Sequence, residues 1–579
     1  MKKILFLIMA LIASSPLATA KDKTVELCIL ETSDVHGSFF PYDFINRTPC
    51  KGSLARLSTY VKRERERFGD NLLLLDNGDI LQGQPTVYYY NFIDTAATHV
   101  TAAMMNYLRY DAGNMGNHDM ETGHAVYDRW IRQCNFPILG ANIIDTASGK
   151  PYLPPYSVFN RDGVKVAVIG FLTPSIPAWL PENLWAGLRF DDIEESARKW
   201  VKTVREKENP DVVVAIIHSG RDHTHTTGNW VENASQLVAE RVPGIDIVLF
   251  GHDHQFFCDS VKNADGNEVW MLNPANKAEK VASAHVSLTL RKGKVVKKEI
   301  SGRLVDISAL PVDEDFMAEF KPQYDTVDKF VSQKIGSISK TISTRNAFFG
   351  PSEFIDLTHS LQLAISGAEV SMAAPLSFDS SIKEGDILVS DMFKLYKYEN
   401  MLYTMRLSGR EIKNYLEMSY DLWTNRMENA DDHLLLLKEV PGNGDDGARA
   451  LFQNFSYNFD SAAGIRYTVD VTKPRGEKIN ILSMADGSAF DMDKDYSVAV
   501  NSYRGNGGGG LLTEGAGIPV EKLNDRIIKA TDKDLRFYLM EYIKKTGAIC
   551  PTTLDLWKFI PEEWTVPAAK RDYKLLFKD

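Results

Sequence analysis

Apolar runs that end abruptly in polar clusters set the rhythm of the first half of the chain: VELCILETS, NLLLLDNG, DVVVAIIHS and IDIVLFGHDH. A run of this kind, rich in Val, Ile and Leu and bounded by turn residues, predicts a strand covered on both faces. Amphipathic stretches lie between the runs, for example across residues 96–108. Strand, loop and helix therefore alternate over residues 24–312, which predicts an α/β domain. KVAVIGFLTP and ASAHVSLTLRKGKVVKKEISGR supply further strands, and the whole reads as a four-layer αββα sandwich, two sheets with helices outside. The pattern changes at residues 313–333. There Phe316, Phe320, Tyr324, Val327 and Phe330 recur every three or four positions in a charged background, which predicts a single linker helix. Residues 334–579 mix helices, such as 352–365 and 408–418, with strands in GIRYTVDV and YSVAVNSY, an α+β domain. A glycine run, Gly505 and Gly507 to Gly510, follows the second of these strands, and PGNGDDG at 441–447 reads as an inserted loop.

At 579 residues the chain exceeds what one hydrophobic core usually organises, in keeping with two domains. Its net charge of −11, without a long basic run, argues against a protein that tracks nucleic-acid polymers. A small phosphorylated partner is compatible if metal ions supply the positive charge. MKKILFLIMALIASSPLATA at residues 1–20 has two lysines, an apolar stretch and small residues up to Ala20, the pattern of a signal peptide cleaved after Ala20. A periplasmic or secreted, monomeric protein is expected. No later segment has the length of a membrane-spanning helix, so no anchor is expected in the mature chain. The five cysteines, Cys28, Cys50, Cys134, Cys258 and Cys550, are too scattered for a disulfide framework, though one or two bridges stay open.

The polar clusters closing the apolar runs or lying in tight turns are Asp34/His36, Asp79, Asn117/His118, His218 and His252/His254. Carboxylate, amide and neutral imidazole together suit divalent ions such as Zn²⁺ or Mn²⁺, and the lack of cysteine among them argues against structural zinc. At a strand end, Asp34 and His36 would share a face, as would His252 and His254. Each cluster alone has a plainer reading, a solvated turn or a histidine capping a strand. Five in this order point to one metal centre. His223 and His225 fall in a polar loop, His124 suits a helix start, and Cys258 suits packing or half a disulfide.

D-X-H, GD, GNH, H and GH-X-H in this order resemble the calcineurin-like metallophosphoesterase superfamily. The resemblance implies two divalent ions, one held by Asp34, His36, Asp79 and His254, the other by Asp79, Asn117, His218 and His252, with Asp79 bridging. Such a pair clamps phosphoryl oxygens and activates water. It leaves His118 as the catalytic imidazole, with Glu121 and Asp119 as rival partners for it. AAPLSFDSSIKEGDILVSDMFKLYKYEN, SYNFDSAAGIRYTVDV and VAVNSYRGNGGGG resemble the C-terminal domain of secreted nucleotidases. That likeness implies a base held between Tyr398 and Tyr503 with Asn400 nearby. The glycines, Gly507 and Gly508 among them, let backbone approach the ligand. It also implies rotation of one domain against the other. Ala373–Phe378 and Gly509 stand where 5′-nucleotidases carry an arginine motif and a ribose-binding aspartate. The chain thus looks closest to the 2′,3′-cyclic-nucleotide 2′-phosphodiesterase/3′-nucleotidase branch, and a carboxylate beside a 2′,3′ phosphate would repel it. A 5′-nucleotidase or nucleotide-sugar hydrolase is the alternative, and a catalytically inactive nucleotide-binding protein is the rival from another class.

Overall fold

The computed structural model describes residues 22–222, 226–227, 230–440 and 449–577. The leader expected at 1–20, His223, His225 and the loop expected at 441–447 lie outside the described residues. The apolar runs build two six-stranded sheets. In spatial order one holds Lys294–Asp306, Lys280–Arg291, Lys23–Thr32, Leu72–Asp76, Ala112–Asn114 and Ile138–Leu139. The other holds Phe256–Lys262, Glu268–Pro274, Ile247–Phe250, Val212–His218, Val164–Leu172 and Tyr156–Arg161.

The strand period of two explains why these runs are apolar at nearly every position. Val25, Leu27, Ile29, Leu73 and Leu75 cluster with Val168, Val214, Ile216 and Leu249 between the sheets. The intervening Cys28, Leu30, Leu72 and Leu74 belong to a core with Leu54 and Leu57 of helix Leu54–Phe68. On the outer side of the second sheet, Ala167, Ile169, Val213, Ala215 and Ile217 cluster with Ile193, Ala197, Val201 and Val204 of helix Ile193–Glu208. Asp192 caps that helix by accepting from the Glu195 amide, and Asn209 ends it at φ 47°. Each fully buried aliphatic side chain contributes about 1.5–3 kcal/mol.

The single linker helix expected at 313–333 is two helices, Glu314–Glu319 and Lys321–Val331. Phe320 leaves helical geometry between them (φ −98°, ψ 12°), and Pro322 sits in the first turn of the second, where its missing N–H costs nothing. Phe316 and Phe320 still pack edge-on against Tyr107, and Tyr324 against Phe40. Beyond them a five-stranded sheet runs Ser461–Ala463, Val370–Ala373, Asp495–Asn501, Met401–Ser408, Ile527–Asp534. Helix Gly409–Trp423 packs with it, opened by a reciprocal cap in which the Ser408 amide donates to Glu411 (2.7 Å) and the Glu411 amide to Ser408 Oγ (3.3 Å). All five cysteines are free, and no helix among the described residues is long and apolar enough to cross a membrane.

Candidate functional site

The expected ligands gather at the C-terminal ends of parallel strands from both sheets. His218 is the last residue of its strand, Asn117 opens the short helix Asn117–Met120 beyond Asn114, and the others lie in the loops beyond Thr32, Asp76 and Phe250. Strand alternation does not place them, contrary to expectation. Asp34, His36, Asp79, His252 and His254 all have positive φ, between 50° and 76°. Non-glycine residues held there cost roughly 1–3 kcal/mol each and persist where surrounding contacts dictate them. Those contacts are the Asp34 and His36 amides donating to the Gly78 and Asp79 carbonyls, both at 3.0 Å, and the His252 amide donating to Asp34 Oδ2 at 3.0 Å. A Cβ on Gly251 would stand 1.9 Å from Ser33 Oγ, and one on Gly116 would stand 2.2 Å from the Asp79 amide nitrogen. These glycines let the loops close on one another.

The side chains form two groups, each with ligating atoms within 4.8 Å of one another. In the first, His254 Nε2 lies 3.2 Å from Asp34 Oδ1 and 3.1 Å from His36 Nε2. In the second, His218 Nε2 is 3.2 Å from Asp79 Oδ2 and 3.0 Å from Asn117 Oδ1, and His252 Nδ1 is 2.8 Å from Asn117 Oδ1. His252 and His254 thus fall in different groups, as the resemblance implies, although not by sharing a strand face. Asp34 Oδ1 is buried with the His254 ring nitrogen as its close polar neighbour, and so many nitrogens converging on carboxylate and amide oxygens suit cations. Burial opposes the Asp34 and Asp79 charges, but neighbouring histidines outweigh it and hold both carboxyls below the usual range. Burial, followed by repulsion from His254, pushes His36 down to about 3.

His118 stands beside both groups, its ring centroid 5.6 Å from that of His36. Its Nδ1 is 2.6 Å from Glu121 Oε2. Asp119, the rival partner, is turned elsewhere. Its carboxylate accepts the amides of Asp79, Ile80, Leu81 and Gly116 at 2.8–2.9 Å, so it is a brace for the ligand loops. Burial works against a charged His118, but Asp79 and then Glu121 outweigh it and raise the imidazole to about 9. His124 places Nδ1 3.2 Å from Asp128 Oδ2 and Nε2 3.0 Å from the Ala186 carbonyl oxygen, outside both groups.

From the second half of the chain, the Tyr398 ring lies parallel to His118 (6.4 Å, 8°). Tyr503 meets Tyr457 edge-on, and Tyr457 stacks on the exposed Phe455. Gly508 lies flat beneath Tyr503, since a Cβ there would come within 2.5 Å of the ring, and Gly507 takes φ 105°. Asn400 is buried, its amide 3.5 Å from the Tyr396 hydroxyl. Arg504 is buried and bound to Asp460 (2.9 Å), Asn458 (2.9 Å) and the Gly508 carbonyl (2.9 Å), which fixes the glycine loop. Tyr457, in the SYNFDS stretch, joins the aromatic group. Two neighbours of the ligands carry no mark in the sequence: Glu232 Oε1 is 3.2 Å from His252 Nε2, and Trp179 stacks on His252 (5.7 Å, 21°). Only the folded chain brings them there.

Residues 28–256 match the calcineurin-like phosphoesterase family, and residues 334–514 match the 5′-nucleotidase C-terminal domain. The chain joins a calcineurin-like phosphoesterase domain to a 5′-nucleotidase C-terminal domain. Its relatives are phosphoester hydrolases. Among its relatives, the trifunctional nucleotide phosphoesterase protein YfkN of Bacillus subtilis is 28% identical, over 96% of this chain and 41% of that one. The chain thus spans less than half of that relative's length. The 2′,3′-cyclic-nucleotide 2′-phosphodiesterase/3′-nucleotidase of Salmonella typhimurium is 28% identical, over 95% of this chain and 91% of that one. The 5′-nucleotidase precursor of Thermus thermophilus shares the fold, with a TM-score of 0.64 at 21% identity over 93% of this chain and all of that one. The phosphoesterase domain carries both ligand groups and His118, and the C-terminal domain brings Tyr398 and Tyr503.

Proposed function

We propose that the chain is an exported, two-metal nucleotide phosphoesterase that opens 2′,3′-cyclic nucleotides to 3′-nucleotides and then releases phosphate to leave the nucleoside. Asp34, His36 and His254 would hold one divalent ion, Asn117, His218 and His252 the other, and Asp79 would serve both. Bound zinc or manganese would supply Lewis acidity and a nucleophile from water at neutral pH. Around it, His118, oriented by Glu121, would give a proton to the departing 2′ oxygen while water oxygen adds to phosphorus. Tyr398 and Tyr503 would stack on the base, with Asn400, Gly507 and Gly508 shaping the pocket, at about 1–3 kcal/mol per stacked base. Export rests on the leader pattern of residues 1–20.

The observation that carries the 2′,3′ preference is Gly509. A Cβ there would lie 2.3 Å from both Arg504 Nη1 and Asn458 Oδ1, so a carboxylate side chain gripping the ribose hydroxyls would have to displace both. The name of the Salmonella relative, similar along nearly its whole length, agrees. Initial rates on 2′,3′-cyclic AMP, 3′-AMP and 5′-AMP test the reading, with the first two expected to be far faster. A strong preference for 5′-AMP would replace it with a 5′-nucleotidase. A chelator should abolish turnover, and added Zn²⁺ or Mn²⁺ should restore it.

A further inference from the structure

His252 differs from His36 and His218 in which nitrogen it presents. His36 and His218 turn Nδ1 to backbone carbonyls, Gln82 at 3.2 Å and Asn77 at 2.7 Å, and offer Nε2 to their groups. His252 is reversed. Its Nδ1 faces Asn117, and its Nε2 faces a carboxylate, Glu232 Oε1, at 3.2 Å. A ring that binds a cation through one nitrogen keeps its proton on the other, and whatever accepts that proton fixes tautomer and rotation. A carboxylate is a stronger acceptor than a carbonyl and makes the imidazole a better donor.

The surroundings reinforce this. Trp179 lies against the His252 ring face, so it and the Glu232 contact together oppose rotation of the ring about Cβ–Cγ. The side chains of His252 and Glu232 are 13% and 15% exposed, and those of Asp79 and His218 2% and 0%. His254 in the other group is 39% exposed. Charge interactions weaken as water enters, so the two groups differ both in their outer partners and in screening.

We propose that Glu232 is a positioning residue that holds His252 with Nδ1 toward the ion and makes the Asp79–Asn117–His218–His252 group the tighter of two unequal metal sites. This rests on the two-metal reading given above. The test titrates chelator-stripped full-length protein with Zn²⁺ against a competing chelator. Wild type should take up two ions in unequal steps. Glu232→Ala should weaken the tighter step about 10–100-fold and spare the other. Glu232→Gln keeps an acceptor without the charge and should fall between. The melting temperature of the stripped protein should be the same in all three. Fewer than two ions in wild type would overturn the two-metal reading itself. Two ions in wild type with equal steps, with both steps unmoved by Glu232→Ala, or with both weakened alike, would overturn only the inference. So would a stripped variant that melts well below stripped wild type, since Glu232 would then be a structural brace.

Discussion

Glu121 gives its carboxylate to the His118 ring, whereas Asp119 gives both of its oxygens to backbone amides, so the loss of each partner should register in different measurements. His118→Ala should lower kcat about 10²–10⁴-fold while metal content, read by elemental analysis, stays at the wild-type level. Wild-type turnover in that variant would end the assignment. Asp119→Ala should act on the frame instead. It strands the buried amides of Asp79, Ile80, Leu81 and Gly116, at roughly 1–3 kcal/mol for each donor left without an acceptor. Denaturant unfolding should therefore show a loss of at least about 4 kcal/mol, and an unmoved midpoint would show that water replaces the carboxylate.

At the scale of elements, the helix Glu353–Ser366 carries His359 into the C-terminal core, where it is 1% exposed between Ser371 Oγ (3.0 Å) and Ser461 Oγ (3.1 Å). Burial lowers this imidazole from 6.5 to about 3. The unfolded chain therefore binds the proton first as pH falls. The contribution of His359 is complete above pH 6.5 and is lost by about 1.4 kcal/mol per unit as pH drops toward 3. His359→Asn should reduce proton uptake on unfolding at pH 5 by close to one, measured by calorimetry in buffers of different ionisation enthalpy. Equal uptake would mean that the ring is charged in the fold. The strands were legible because runs such as VVVAIIH need both faces covered. The positions of Asp34, His36, Asp79, His252 and His254 were legible too, but their left-handed backbone was not, since it is held by contacts between loops, at Asp34 and His36 by the Gly78 and Asp79 carbonyls and at His252 by the Asp34 carboxylate. The break at Phe320 was hidden by an aromatic stripe that keeps its spacing through it, with Pro322 as the only local sign. Glu232 and Trp179 reach His252 through tertiary packing alone, for which no spacing rule exists.

On the scale of the whole molecule, the two halves meet at the candidate site. Tyr398 lies on His118, the Asn506 amide reaches the Trp179 carbonyl at 3.4 Å, and the Tyr88 hydroxyl donates to Asp534 at 3.2 Å. Tyr398→Ala should raise KM for a nucleotide by roughly 5–150-fold, the loss of one stacked ring, with little effect on a substrate lacking a base such as p-nitrophenyl phosphate. Equal losses on both substrates would place Tyr398 in the chemistry and not in base binding. One feature of the first sheet reaches beyond catalysis. Its strand Lys23–Thr32 lies between Leu72–Asp76 and Lys280–Arg291, with Lys23 opposite Leu290 and Glu31 opposite Ala282. A chain emerging from the ribosome thus cannot finish this sheet until almost the whole first domain has been synthesised. Contacts so distant in sequence form slowly. A polypeptide bound for a narrow translocation channel would gain from that delay, because a strand still waiting for its partner can be threaded.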